Sequence, residues 1–125
     1  MATYTGSCLC GNSKITVNGP KSDLTSGTAY SSNILAKEAD VEFTGTVGKY
    51  VSKAASGNDV TRIFCSTCGS PLGHNSAAFG DSLAVQTAAL GGAFKDVPYA
   101  AELFVKDRWS VVAPVEGAAQ IEAAM

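Results

Sequence analysis

Short stretches of alternating apolar and polar residues, broken repeatedly by glycine, run through most of this chain. Lys14-Ile15-Thr16-Val17 alternates before Asn18-Gly19-Pro20, and Val41-Glu42-Phe43-Thr44 alternates before Gly45. Val60-Thr61-Arg62-Ile63-Phe64 is a β-branched run leading into Cys65. Ser82 to Thr87 and Ala101 to Val105 continue the series, parted by turns at Gly91-Gly92 and Val97-Pro98. A period of two sends successive side chains to opposite faces, so each stretch predicts a half-buried strand. Helix is predicted only in short pieces, around Ile34 to Ala39 and from Glu116 to Met125. No internal repeat, low-complexity tract or linker divides the chain. The pattern therefore predicts one domain over residues 1–125, mainly β, small and antiparallel.

Composition fits that picture and narrows the function. A chain of 125 residues can bury about two-thirds of the surface it exposes when unfolded, enough for a real core. Hydrophobic residues make up 46% and charged residues 16%, and no apolar run approaches membrane-spanning length, which argues against both disorder and a membrane partner. A net charge of −2, with nine Lys and Arg scattered along the sequence, leaves no basic footprint for nucleic acid.

The chemistry concentrates in the thiols. All four cysteines lie in two close pairs, Cys8-Leu9-Cys10 and Cys65-Ser66-Thr67-Cys68, each followed at once by a glycine that lets the backbone turn sharply. Four thiolates converging on one point suit Zn²⁺ in a closed tetrahedral shell, which holds a fold together and leaves no position for water or substrate. Two disulfides are an alternative. Met1-Ala2-Thr3-Tyr4-Thr5 has neither the basic nor the long apolar character of a signal peptide, so a reducing cytoplasmic setting is the expectation and metal is favoured. A redox-active C-x-x-C is a third reading for Cys65 and Cys68. A thioredoxin-like motif opens a helix, however, and Gly69-Ser70-Pro71 predicts a turn.

Other candidate groups are sparse. His74, the one histidine, reads as an exposed loop residue. Asp23 reads as a polar turn residue or N-cap, and Glu102 as an outward-facing strand residue, because isolated buried carboxylates are costly. Phe104 and Trp109 read as core or pocket-lining aromatics. Neither a Ser-His-Asp order, a zincin motif nor a P-loop is present.

Three blocks in order resemble the glutathione-dependent formaldehyde-activating enzyme family, which includes centromere protein V. They are Gly6-Ser7-Cys8-Leu9-Cys10-Gly11, then Phe64-Cys65-Ser66-Thr67-Cys68-Gly69-Ser70-Pro71-Leu72, and the closing Ala101 to Trp109 with Val115 to Gln120. The resemblance implies a β-tent of antiparallel sheets around one structural zinc on Cys8, Cys10, Cys65 and Cys68. It also implies glutathione as a partner and carbon-sulfur lyase chemistry on a glutathione adduct. Enzymes of the family carry a further C-x-C-x-x-C cluster for a catalytic zinc shortly before a Ser/Thr-Gly pair that resembles Ser26-Gly27. Here the corresponding stretch, Gly19 to Thr25, is shorter and holds no cysteine; Ser22 is the nearest substitute, and a neutral hydroxyl ligates zinc poorly beside a thiolate. The expectation is a divergent member with weak or absent lyase activity, an active lyase being the alternative. A small-molecule binder or interaction module is the other class, with Ser22, Asp23, Ser26, Phe104 and Trp109 lining the vacated pocket. A methionine sulfoxide reductase would need a reactive cysteine beyond the four in the metal shell.

Overall fold

In a computed structural model the described residues are 3–19, 24–26 and 31–123. Among them eleven strands form two sheets. The smaller sheet has the order β1-β2-β5, with β1 Thr3–Ser7, β2 Ser13–Asn18 and β5 Val41–Gly45, all antiparallel. The larger comprises β3 Leu24–Ser26, β4 Ser32–Lys37, β6 Val47–Lys53, β7 Asp59–Cys65, β8 Pro71–Ser76, β9 Ser82–Gln86, β10 Tyr99–Glu102 and β11 Ala119–Gln120. Its spatial order is β11-β10-β3-β4-β9-β8-β7-β6, antiparallel except that β10 runs parallel to both neighbours. The predicted class, a small, mainly antiparallel β domain, is what the chain adopts.

Alternation does the work expected of it where one face is buried. In β2, Ser13, Ile15 and Val17 point inward while Lys14 and Asn18 face solvent. Those apolar side chains share one core cluster with Ile34, Ile63, Leu72, Leu83 and Val85 from the larger sheet, and Tyr4 and Phe43 pack against it. Each fully buried Ile, Leu or Val contributes about 1.5–3 kcal/mol. The segment after β9 closes one end of this core: Leu90 and Phe94 are buried, and the Phe94 ring lies 5.3 Å from that of Tyr4.

Among the described residues neither predicted helix forms. Ile34 to Lys37 belongs to β4, which pairs with β3 and β9 and buries Ile34, so non-local pairing overrides local helix propensity. What remains of the helical signal is one 3₁₀ turn, Glu38–Asp40. The tail turns at Glu116-Gly117, closed from Ala118 N to the Val115 carbonyl (3.2 Å), and then forms the short strand β11. It is tied down by bonds from Ile121 N to the Glu102 carbonyl (2.9 Å) and from Val105 N to the Ile121 carbonyl (3.0 Å), and Met125 lies outside the described residues. The strand expected over Ala101 to Val105 stops at Glu102, because Phe104 turns the chain with a left-handed φ of 56°.

Glu102 corrects the sequence reading most directly. It is only 5% exposed, and one carboxylate oxygen, Oε2, accepts from Arg108 Nη2 (2.9 Å), Gln120 Nε2 (2.7 Å) and Val115 N (3.0 Å). Arg108 also donates to Gln120 Oε1. The desolvation that made burial look prohibitive is met by these three donors, which sit six to eighteen positions downstream. Burial raises the Glu102 pKa, but the Gln120, Val115 and Arg108 donors outweigh it and hold the carboxyl below its ordinary range. A depressed folded pKa means stability that is present above the unfolded value of about 4.3 and lost as pH falls through the folded one. Glu102→Gln should therefore cost about 1–2 kcal/mol at pH 7 and progressively less below about pH 4, read from urea unfolding across a pH series. A deficit that stayed constant with pH would remove the charged carboxylate from the explanation.

Candidate metal centre

Three connections meet at one corner of the domain. Cys8 and Cys10 sit in the turn between β1 and β2, closed by a bond from Gly11 N to the Cys8 carbonyl (3.2 Å). Cys65 ends β7, and Cys68 lies in the following turn, closed from Gly69 N to the Cys65 carbonyl (2.8 Å). Gly11 and Gly69 have φ of 83° and 78°, the left-handed region in which a side chain is strained, so both turns bend where the sequence puts glycine. The third connection, Gly45-Thr46, carries the chain from the small sheet to the large one.

Thr46 is the residue that sequence reasoning missed. Its carbonyl accepts from Ser66 N (2.7 Å), Ser66 Oγ (2.9 Å) and Ser13 Oγ (3.0 Å), while its own N–H donates to the Asn12 carbonyl (3.2 Å). Its hydroxyl lies 3.6 Å from Cys65 Sγ. Thr46 thus links both cysteine turns through main-chain groups, which leave no trace in residue type. Its approach depends on Gly45, where φ is 94° and an added Cβ would stand 1.9 Å from the Asn12 carbonyl oxygen.

The four sulfurs converge as the spacing predicts. All lie within 4.8 Å of one another, with Cys10 Sγ 3.5 Å from Cys8 Sγ and 3.7 Å from Cys65 Sγ. Four thiolates at about 2.3 Å from a central Zn²⁺ define a tetrahedron with edges of about 3.8 Å, so the donor set fits such an ion in number, kind and spread. Gly11 N and Gly69 N close turns, while N–H groups reaching sulfur include Ser13 N to Cys8 (3.3 Å), Cys68 N to Cys65 (3.5 Å) and the Ser70 N–H at Cys68. Ser70 Oγ accepts from Leu9 N (3.2 Å) and lies 3.2 Å from Cys68 Sγ, joining the two cysteine turns directly.

These donors split the thiol acidities. The Ser13 hydroxyl does most to draw Cys65 down to about 5, helped against burial by Cys68 N–H and the Thr46 hydroxyl. The Ser70 hydroxyl chiefly brings Cys68 to about 7. At Cys10 the Asn12 amide pulls downward, but burial and the neighbouring sulfurs of Cys8, Cys68 and Cys65 prevail and push it up to about 12. Ionising every member of so tight a cluster calls for a cation in its midst, and metal uptake must release the remaining protons.

The other candidate residues stand apart from this corner. His74 lies in β8, not in a loop; it is half-buried opposite Arg62 and Ala84, its ring 5.7 Å from that of Phe79, and burial and then Arg62 lower its pKa. Trp109 is 67% exposed and Phe104 42% exposed, so neither is a core aromatic. Ser22, Asp23 and the side chain of Ser26 lie outside the described residues; the Ser26 backbone, in β3, pairs with Ser32 and Glu102. A cleft of about 350 Å³ lies beside the cysteines, lined among others by Cys8, Leu9, Ser70, Pro71 and Gln86.

The sequence model of the family described as glutathione-dependent formaldehyde-activating enzyme matches residues 3–107, a span containing all four cysteines and both sheets but for β11. The chain belongs to this family. Among solved structures, a Rhodobacter sphaeroides protein from a structural genomics programme is similar in fold, with a TM-score of 0.59 and 20% identity over 76% of this chain and 98% of that one. No curated protein matches. Among the described residues, the cysteine quartet is the cluster of this formaldehyde-activating family member able to hold a metal ion, and no helix is long and apolar enough to cross a membrane.

Two substitutions probe the centre. Cys65→Ser should lower the melting temperature sharply and make it insensitive to strong chelation, while the parent melts earlier once chelated; a parent curve unmoved by chelator would remove metal from the stability account. Gly69 is open around its Cβ position, so only its positive φ constrains it. Gly69→Asn should retain metal nearly as well as the parent and Gly69→Val should lose it more readily, measured by competition with a chromogenic chelator. Equal retention by both would show that the left-handed conformation is dispensable.

Proposed function

We propose that this chain is a zinc-clamped member of the formaldehyde-activating family in which the lyase step is weak or lost, and which binds a small polar molecule without turning it over. The observation carrying this reading is the convergence of all four cysteines of the chain on one cluster, which leaves no thiol for a second, catalytic metal. Cys8, Cys10, Cys65 and Cys68 would hold one structural Zn²⁺. Bound there, the ion supplies cross-linking and no Lewis-acid site, because four protein thiolates complete its coordination. A catalytic zinc with an open position would polarise substrate or ionise a bound water, an effect worth several kcal/mol of barrier that His74 or Asp23 alone does not replace.

The family description supports glutathione, or another small molecule of similar polarity, as the ligand class. The pocket proposed for it takes Ser22, Asp23 and Ser26 as its polar groups and Phe104 or Trp109 as its apolar wall. A reducing cytoplasm would keep the thiols available for metal, and residues 1–125 would act as a single domain. The family match over most of the chain favours one other reading, a carbon-sulfur lyase with a different active site built on the same frame.

Elemental analysis together with a glutathione and formaldehyde turnover assay separates the two. One zinc per chain and no rate above the uncatalysed reaction is the expected result. Zinc-dependent turnover that Asp23→Ala or His74→Ala abolishes, with the fold and the structural zinc intact, would replace the inactive reading by the active one.

A further inference from the structure

We propose that the cysteine centre is also an oxidative modification site, at which a hydroperoxide joins Cys10 to Cys65 in a disulfide that takes over from the metal as the link between the two turns. The proposal rests on the structural-zinc reading of the same four residues.

The four sulfurs are unequal in access. Cys8 and Cys65 are buried, whereas Cys10 and Cys68 are exposed. A small peroxide arriving from solvent therefore meets Cys10 and Cys68 first. The Cys68 sulfur keeps to its own turn, beside the Ser70 hydroxyl at 3.2 Å. Cys10 is the exposed sulfur that reaches across to the other turn, 3.7 Å from Cys65, and is the one placed to attack the peroxide. Closing that gap to a disulfide length of about 2.05 Å needs a displacement of under about 2 Å shared by two turn segments. Cys8 is as near, at 3.5 Å, but a Cys8–Cys10 bond would span Leu9 alone and close a minimal loop, while Cys10–Cys65 closes a long one and so constrains the unfolded chain far more.

The chemistry balances with one co-reactant. Ionised by the cation it would help to hold, the Cys10 sulfur attacks the peroxide, the O–O bond breaks, and hydroxide departs to take a proton, leaving Cys10 as a sulfenic acid. The Cys65 thiolate then attacks the Cys10 sulfur; the S–O bond breaks and a second hydroxide departs, so two thiolates lose two electrons and hydrogen peroxide gains them as two waters. Cys8 and Cys68 are left as the only thiolates facing the ion, too few to retain it against solvent. The Thr46 and Ser70 hydrogen bonds between the turns use no sulfur electrons in the new bond and can persist, so the corner stays joined. A thiol reductant reverses the step by exchange.

The test uses the full chain, with its zinc counted before any treatment. Hydrogen peroxide is added at one equivalent, released zinc is followed with a chromogenic chelator, and the oxidised chain is digested without reduction and mapped by mass spectrometry. The expected result is one zinc released per peroxide consumed, a Cys10–Cys65 linked peptide pair, recovery on adding dithiothreitol, and release slowed at least about tenfold in Cys10→Ser. Retention of zinc under peroxide, or a map showing any other disulfide or only over-oxidised single cysteines, overturns the proposal. The mapping needs only the parent protein, so it decides the matter even where Cys10→Ser does not fold. A chain found without zinc at the start would contradict the structural-zinc reading instead, and the disulfide map of that chain would still test the Cys10–Cys65 pairing.

Discussion

Two sheets that share one core need a joint, and here it is a corner where three turns meet around four sulfurs. The turn after β1, the turn after β7 and the crossing from β5 to β6 each bring a different kind of group: thiols, thiols with a serine hydroxyl, and the Thr46 peptide. The apolar core behind them is modest, built from single buried side chains on short strands. Metal at such a corner adds cross-linking where a small β domain has least to spare, on the order of its whole net stability. The same commitment explains the functional reading. Thiols committed to a metal would not be at hand for catalysis, and this chain has none beyond the four of the cluster.

How much of this was legible in the sequence depended on whether the relevant signal was local. Ile15 and Val17 announce a strand because a period of two is written in neighbouring residues, and Ile63-Phe64 and Leu83 to Val85 do so as short apolar or β-branched runs, a signal just as local. The cysteine pairs announce their shared site because thiols at that spacing with a glycine behind them have few other uses. β4 was read as helix because Ile34 to Ala39 carries its propensity locally, while its pairing partners, β3 and β9, lie outside any short window. β1, β6 and β8 went unread for a similar reason: glycines and polar residues dilute their alternation, and the ladders that stabilise them are set by distant strands.

Glu102 and Thr46 show the other limit. A carboxylate on a strand is sensibly placed outside until its donors are known, and Arg108, Val115 and Gln120 come together only because Phe104 reverses the chain and the tail folds back. Thr46 works through its carbonyl and N–H, which every residue possesses, so no residue-level pattern could single it out. The divergence in the family's catalytic region was legible by contrast, since absent cysteines can be counted.

Among the described residues β6 forms one border of the large sheet, with β7 as its strand partner. Tyr50 and Val51 on it are well exposed, which would make this border a template for strand-to-strand growth between molecules. Lys49 and Lys53 punctuate the same seven residues, and Lys53 is held by Asp59 at 2.6 Å on the exposed surface. Any chain laid along β6 would have to strip water from these ammonium groups, and a second copy would bring like charges against them. The border that looks most inviting in its backbone is thereby guarded by its side chains, which raise the cost of adding a further strand to this edge.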